Sequence, residues 1–363
     1  MKKISVVVDG LVFENVNQVG IWRMFYEVMN RLSDQINFTL WLQAPAVMPL
    51  PQGVKILQKY SRWWGSWRYV GKRIFAEWAR RTGPPTILQN SDIFHSTYYT
   101  KSPNNYLATV TTVYDLIPEF ECWDYILGAK KKSIDEASVC VCISETVGKE
   151  FQTFYPATTK KLKVISLGRQ HIKESQNKTL YSNQSALYVG NRNGYKNFLI
   201  IVKALSDQKW PTGLRIKVVG KTFSDNEWNI IDYFGVREKL VELGRISDIQ
   251  LSAELANSIC LIFPSKLEGF GLPILEAQIN RCPVVCSDIP VFREVGGNAA
   301  VFFEPYSSRQ LTDAVSLVST QFYREQYKML ADANVQRFCW NKTAQEYLDV
   351  YHQVFIAKKK TTK

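Results

Sequence analysis

Two carboxylates eight positions apart, Glu268 and Glu276, bracket two glycines and a proline in the string PSKLEGFGLPILEA, which runs from Pro264 to Ala277. Carboxylates accept hydrogen bonds from sugar hydroxyls. The free amides and positive dipole end of a helix start favour an anion. A site that offers both suits a sugar joined to a phosphate. A second string, GNRNGYKNF from Gly190 to Phe198, presents Arg192 and Lys196 on a glycine turn. A guanidinium binds phosphate oxygens as a fork and an ammonium binds them as a point charge. Transfer of a sugar from a nucleotide expels a nucleoside diphosphate. Fixed positive groups are therefore useful where that negative charge grows.

The elements that must hold these residues follow from the apolar pattern. The run 259–263 reads as a buried strand leading into the glycine turn. Pro273 suits a helix start, and Ile274, Leu275, Ala277 and Ile279 continue it, with Glu276 expected in its first turn. Short β-like runs at 4–8, 38–42, 93–95, 109–113 and 139–143 share the first half with helical stretches such as 19–32. The pattern restarts at 186–189 and continues at 215–219, 240–243, 260–263 and 284–286, after a polar stretch at 170–185 that reads as a linker. Such alternation predicts parallel sheets covered on both faces. The reading is α/β with two doubly wound, Rossmann-like domains: 1–169 on the acceptor side and 170–344 for the nucleotide-sugar. A cleft between them, fed by the carboxyl ends of both sheets, is the expected site.

The chain has 363 residues and a net charge of +12, with 46% hydrophobic and 13% aromatic residues, which suits two well-filled cores. No apolar run is long enough to span a bilayer, and the N-terminal run is too short for a signal peptide. Seven cysteines without a CxxC pair give neither a zinc pattern nor a disulfide framework, so reduced thiols in the cytoplasm are expected. Basic charge is local: residues 55–81 hold eight Lys/Arg against one acid, Glu77. There Trp63, Trp64, Trp67, Val70, Ile74 and Trp78 recur at helical spacing among Arg62, Arg68, Lys72 and Arg73. Tryptophan interleaved with basic residues points to contact with an anionic membrane surface. An amphipathic helix packed on the domain gives the same pattern. No binding motif accompanies the charge, so nucleic acid is not an expected partner.

The whole string EGFGLPxxEA, preceded by FPS and followed by PVVCSD at 283–288 and EVGG at 294–297, resembles the retaining GT-B glycosyltransferases of the family 4 type, the group 1 glycosyltransferases. The resemblance implies the GT-B architecture, with a C-terminal helix at about 345–363 crossing back to the N-terminal domain. It implies that Glu268 binds the donor sugar and Glu276 the ribose, and that the amides of Phe270, Gly271 and Leu272 face sugar or diphosphate. Arg192 and Lys196 would hold the diphosphate, and the backbone around Ile246 would read the base of a GDP- or UDP-sugar. Gly20 would stand beside the donor phosphate, although Val19 occupies the place of a usual second glycine. Asp115 and His95 would border the reaction centre. Tyr114 stands where many relatives carry histidine, and a phenol that titrates near pH 10 makes a poor base at neutrality, which leaves Asp115 as the better polar group there. A histidine at a strand end is as often a satisfied core group, so His95 carries both readings.

The expected activity is retaining, metal-independent transfer of a hexosyl group from a nucleotide-sugar to a glycan or lipid-linked acceptor in cell-surface polysaccharide or lipopolysaccharide synthesis. No cofactor is expected, and the location would be the inner face of the plasma membrane. A membrane-associated nucleotide-sugar-binding subunit of weak activity is the alternative. A Rossmann oxidoreductase would need a GxGxxG turn after a first strand, and none is present.

Overall fold

A computed structural model describes residues 3–15, 19–58, 91–100, 108–169, 185–192 and 194–361. The chain divides into two compact units, Met1–Gly168 with Cys339–Lys363, and Arg169–Phe338. Each unit is built on one sheet, and every strand pair is parallel.

The first sheet contains β1 (Ile4–Asp9), β2 (Ile36–Leu42), β3 (Lys55–Gln58), β4 (Ile93–Ser96), β5 (Ala108–Val113), β6 (Val139–Cys142) and β7 (Leu162–Val164). Their order is β3-β2-β1-β4-β5-β6-β7. The second contains β8 (Ser185–Val189), β9 (Arg215–Val219), β10 (Leu240–Gly244), β11 (Leu261–Phe263), β12 (Val284–Ser287) and β13 (Val301–Phe303), in the order β10-β9-β8-β11-β12-β13. Both are doubly wound, and both reverse direction once, between β1 and β4 and between β8 and β11. Loops leaving the carboxyl ends of those paired strands diverge and open a crevice.

Strands buried on both faces need near-continuous apolar runs, and Val6, Val7 and Val8 in β1 or Val284, Val285 and Cys286 in β12 have no exposed surface. The sequence pattern finds these strands. It misses β3, β7 and β13, which are three or four residues long and largely half-exposed. At β3 this corrects the reading of the basic stretch: Lys55–Gln58 is an edge strand paired with β2. The tryptophans and arginines at 59–81 lie outside the described residues, as does the linker at 170–184.

The final helix, Trp340–Thr361, belongs to the first unit and begins five residues earlier than the sequence suggests. Thr343 donates to the carbonyl of Ser166 at 2.7 Å, and Tyr347 and Tyr351 reach the core beneath β4 and β5. The chain leaves this unit at Gly168 and returns at Cys339, and the two crossing points touch. A Cβ on Gly168 would collide with the Trp340 backbone nitrogen, so only glycine fits. No described helix is long and apolar enough to cross a membrane.

Candidate active site

In the second unit the two charged strings meet at the strand reversal. The loop after β8 carries Lys196, and the loop after β11 carries Glu268. Their side chains form an ion pair at 2.5 Å, with 20% and 13% of their surfaces exposed. Backbone holds the same two loops together, since the Lys266 amide donates to the Tyr195 carbonyl at 2.7 Å. Gly271 then takes φ +107° as the cap of helix Leu272–Ile279, with Pro273 as its second residue. That angle excludes side chains other than glycine's, and a Cβ there would press on Phe292 at 3.2 Å. Buried Phe270 packs edge-to-face on Phe338, and half-buried Leu272 opens the helix. Glu276 is the fifth residue of the helix, past the first turn expected for it, and is half-buried.

The Arg192 Nε and Nη2 bind the two carboxylate oxygens of Glu227 at 2.6 and 3.1 Å. Nη1 donates to the Lys221 carbonyl at 2.6 Å and Nη2 to the Thr222 carbonyl at 2.9 Å. The guanidinium also lies 4.2 Å from the Phe223 ring centre, and its side chain is 5% exposed. Four of the five N–H groups that an arginine owns are therefore engaged within the protein. The pairing holds the Glu227 carboxyl down at about 2, chiefly through the Arg192 hydrogen bond. Arg192 clamps the loop after β8 to the loop after β9. Ile246 is half-buried just beyond β10, between Gly244 and the capping box formed by Ser247 and Gln250.

The residues expected on the acceptor side are dispersed through the first unit. His95 has no exposed surface. Its Nδ1 lies 2.8 Å from the Tyr351 hydroxyl and its Nε2 2.9 Å from the Thr112 hydroxyl. Burial lowers its pKa to about 3, so it stays neutral. It is a core group, and the catalytic reading of His95 gives way to the structural one. Tyr114 is also buried and donates to the Thr97 carbonyl at 2.8 Å. Asp115 remains half-buried at the end of β5, where its Oδ1 caps the Ile117 amide at 3.1 Å. Gly20 is the second residue of helix Val19–Leu32 and is exposed there, rather than sitting in a glycine loop.

Residues 170–334 match the family described as glycosyl transferases group 1. The chain is 27% identical over 286 residues to an O-antigen chain mannosyltransferase B of Escherichia coli, with 70% of this chain and 74% of the relative covered. Among solved structures it resembles sucrose-phosphate synthase from Thermosynechococcus elongatus, at TM-score 0.73 and 13% identity, covering 98% of this chain and 100% of the other. It also resembles Anabaena Alr3699/HepE in complex with UDP and glucose, at TM-score 0.70 and 14% identity, covering 96% and 100%. The fold is GT-B, and its residues 170–334 are similar to the group 1 glycosyl transferases.

Beyond these motifs, the GT-B chain holds two carboxyl groups that sequence reasoning passed over. Asp9 ends β1 with no exposed surface and accepts from the Thr97 amide at 2.5 Å, the Leu11 amide at 3.3 Å and the hydroxyls of Thr97 and Thr100. Burial raises its pKa, against those hydrogen bonds. An aspartate closing the first apolar strand was the available signal. Glu150 is half-buried, and burial together with the charge of Asp115 pushes it up to about 7. Nothing in the local sequence around Glu150 announces that neighbour.

Proposed function

We propose that this protein transfers a hexosyl group, with retention and without a metal, from a nucleoside-diphosphate sugar to a glycan or lipid-linked acceptor of a cell-surface polysaccharide. The observation that carries the reading is the Lys196–Glu268 pair at the strand reversal of the second unit, beside the helix that opens at Leu272. The mannosyltransferase relative supports mannose as the transferred sugar, and the UDP and glucose in the Alr3699/HepE complex support a nucleotide-sugar donor. Backbone near Ile246 reads the base of a GDP- or UDP-sugar.

The ion pair suits an exchange of partners. When a donor enters, Lys196 turns from a carboxylate to the diphosphate and Glu268 turns to the sugar hydroxyls. Each half-buried charge trades one partner for another and is never left bare, which avoids the large cost of an unpaired buried ion. As the sugar–phosphate bond breaks, charge on the leaving diphosphate grows toward Lys196 and the amides of Gly271 and Leu272, and Glu276 holds the ribose. No base of the protein is required if the leaving diphosphate takes the acceptor proton on the same face, and Asp115 would then orient the acceptor. The membrane part of the proposal, a peripheral site on the inner face of the plasma membrane, rests on the composition of residues 59–81.

The test is transfer from a panel of GDP- and UDP-sugars to a lipid-linked acceptor, with product configuration read by NMR in the presence and absence of chelator. The expected product keeps the donor's anomeric configuration, and its rate of formation is largely unchanged by chelation. Inversion would overturn the retaining reading, and strict dependence on magnesium would overturn the charge argument.

A further inference from the structure

Asn197 is the point at which three loops of the second unit meet. Its backbone is left-handed, with φ 56° and ψ 33°, at the cap of helix Phe198–Leu205, yet its side chain makes no capping bond to that helix. Instead Nδ2 donates to the Pro264 carbonyl at 3.1 Å and to the Pro305 carbonyl at 2.8 Å. Pro264 opens the turn that carries Glu268, and Pro305 follows β13. Two carbonyl acceptors fix the orientation of the carboxamide, because only its NH2 end can serve both. Few residues satisfy these demands together. Asparagine tolerates the left-handed region and presents two diverging N–H groups on a short stem, whereas glycine supplies the backbone alone.

We infer that Asn197 is a positioning residue that sets the Lys196 ammonium against Glu268 and the start of helix Leu272–Ile279. The inference rests on the proposed donor-binding reading of that pair. Lys196 is the adjacent residue, so any slip of Asn197 relative to Pro264 passes directly to the ammonium. A misplacement of about 1 Å at a reacting centre costs on the order of 100-fold in rate. The bond to Pro305 ties the same loop to the segment that follows β13.

The experiment compares Asn197→Gly, Asn197→Asp and, as a reference, Lys196→Met in the full chain. It measures donor KM, kcat, calorimetric affinity for UDP and GDP, and thermal midpoint. Asn197→Gly keeps the backbone angle and removes the bridge. We expect kcat/KM to fall roughly ten- to hundredfold, with weaker nucleotide binding and a thermal midpoint within a few degrees of wild type. Asn197→Asp should fall further, because it turns a carboxylate toward two carbonyl oxygens. Wild-type kcat/KM in Asn197→Gly beside an impaired Lys196→Met would overturn the positioning role and leave the donor site standing. A loss in both Asn197 variants that follows only the thermal midpoint, with donor KM unchanged, would overturn it as well. Wild-type binding and turnover in Lys196→Met would overturn the donor-site reading, and this inference with it.

Discussion

The two strand reversals are the same piece of topology put to different uses. At the first, between β1 and β4, the carboxylate of Asp9 is enclosed by two hydroxyls and two amides and has no exposed surface. At the second, between β8 and β11, a lysine and a glutamate face one another and stay partly exposed. Neutral donors that belong to the fold have no reason to release Asp9. Opposite charges at a half-open position can exchange partners with a ligand that carries both phosphate and hydroxyls. Position in a doubly wound sheet therefore marks where a site can form, and the side chains decide whether it is sealed or left available.

The largest test of that contrast is at the open reversal. Glu268→Ala should lower kcat about 30- to 1,000-fold while donor affinity changes little, equivalent to roughly 2–4 kcal/mol of transition-state stabilisation. Steady-state kinetics would check it, and full turnover would remove Glu268 from the site. At the sealed reversal the effect should appear in stability. Asp9→Ala strands the Thr97 amide and two hydroxyls in the core and should destabilise the first unit by roughly 2–4 kcal/mol, read as a lowered urea midpoint. An Asp9→Ala protein that is as stable as wild type but inactive would break the comparison, because it would make the first reversal a reactive site too.

A smaller effect concerns His95. Its pKa in the fold is about 3, below its ordinary value, so the unfolded chain binds a proton that the folded one refuses. Stability linked to this group is complete above about pH 6.5 and declines by roughly 1.4 kcal/mol for each pH unit below it, toward pH 3. His95→Gln removes that slope. The stability difference between wild type and variant should shrink as pH falls from 6.5 to 4.5, measured by urea titration at each pH. A constant difference would mean that His95 is charged, and reachable, in the fold.

The sequence revealed most of the second unit because its chemistry is local. Lys196 and Glu268 each lie within a few residues of the glycines that shape their loops, and Gly271 and Pro273 announce the helix start. The pairing of Arg192 is hidden for the opposite reason. Its partner, Glu227, lies 35 positions away at a helix start, and nothing in GNRNGYKNF indicates that the guanidinium turns back into the protein. His95 sits at a strand end like many reactive groups, but its fate is set by Tyr351 and Thr112, residues that meet it only in the fold. Asp9 and Asn197 were visible as residue types, and their partners were not. The edge strand β3 was lost because four half-exposed residues carry too little pattern to separate from the basic stretch that follows.

The closing helix has a consequence for the order of synthesis. Tyr351 lies 256 positions after His95, the residue it completes. At about 5–20 residues per second on the ribosome, that interval lasts roughly 13–50 s. The second unit contains its whole sheet between Arg169 and Phe338 and can close before the chain ends. The first unit, although made first, finishes last, and for that interval the apolar faces of β4 and β5 await their cover.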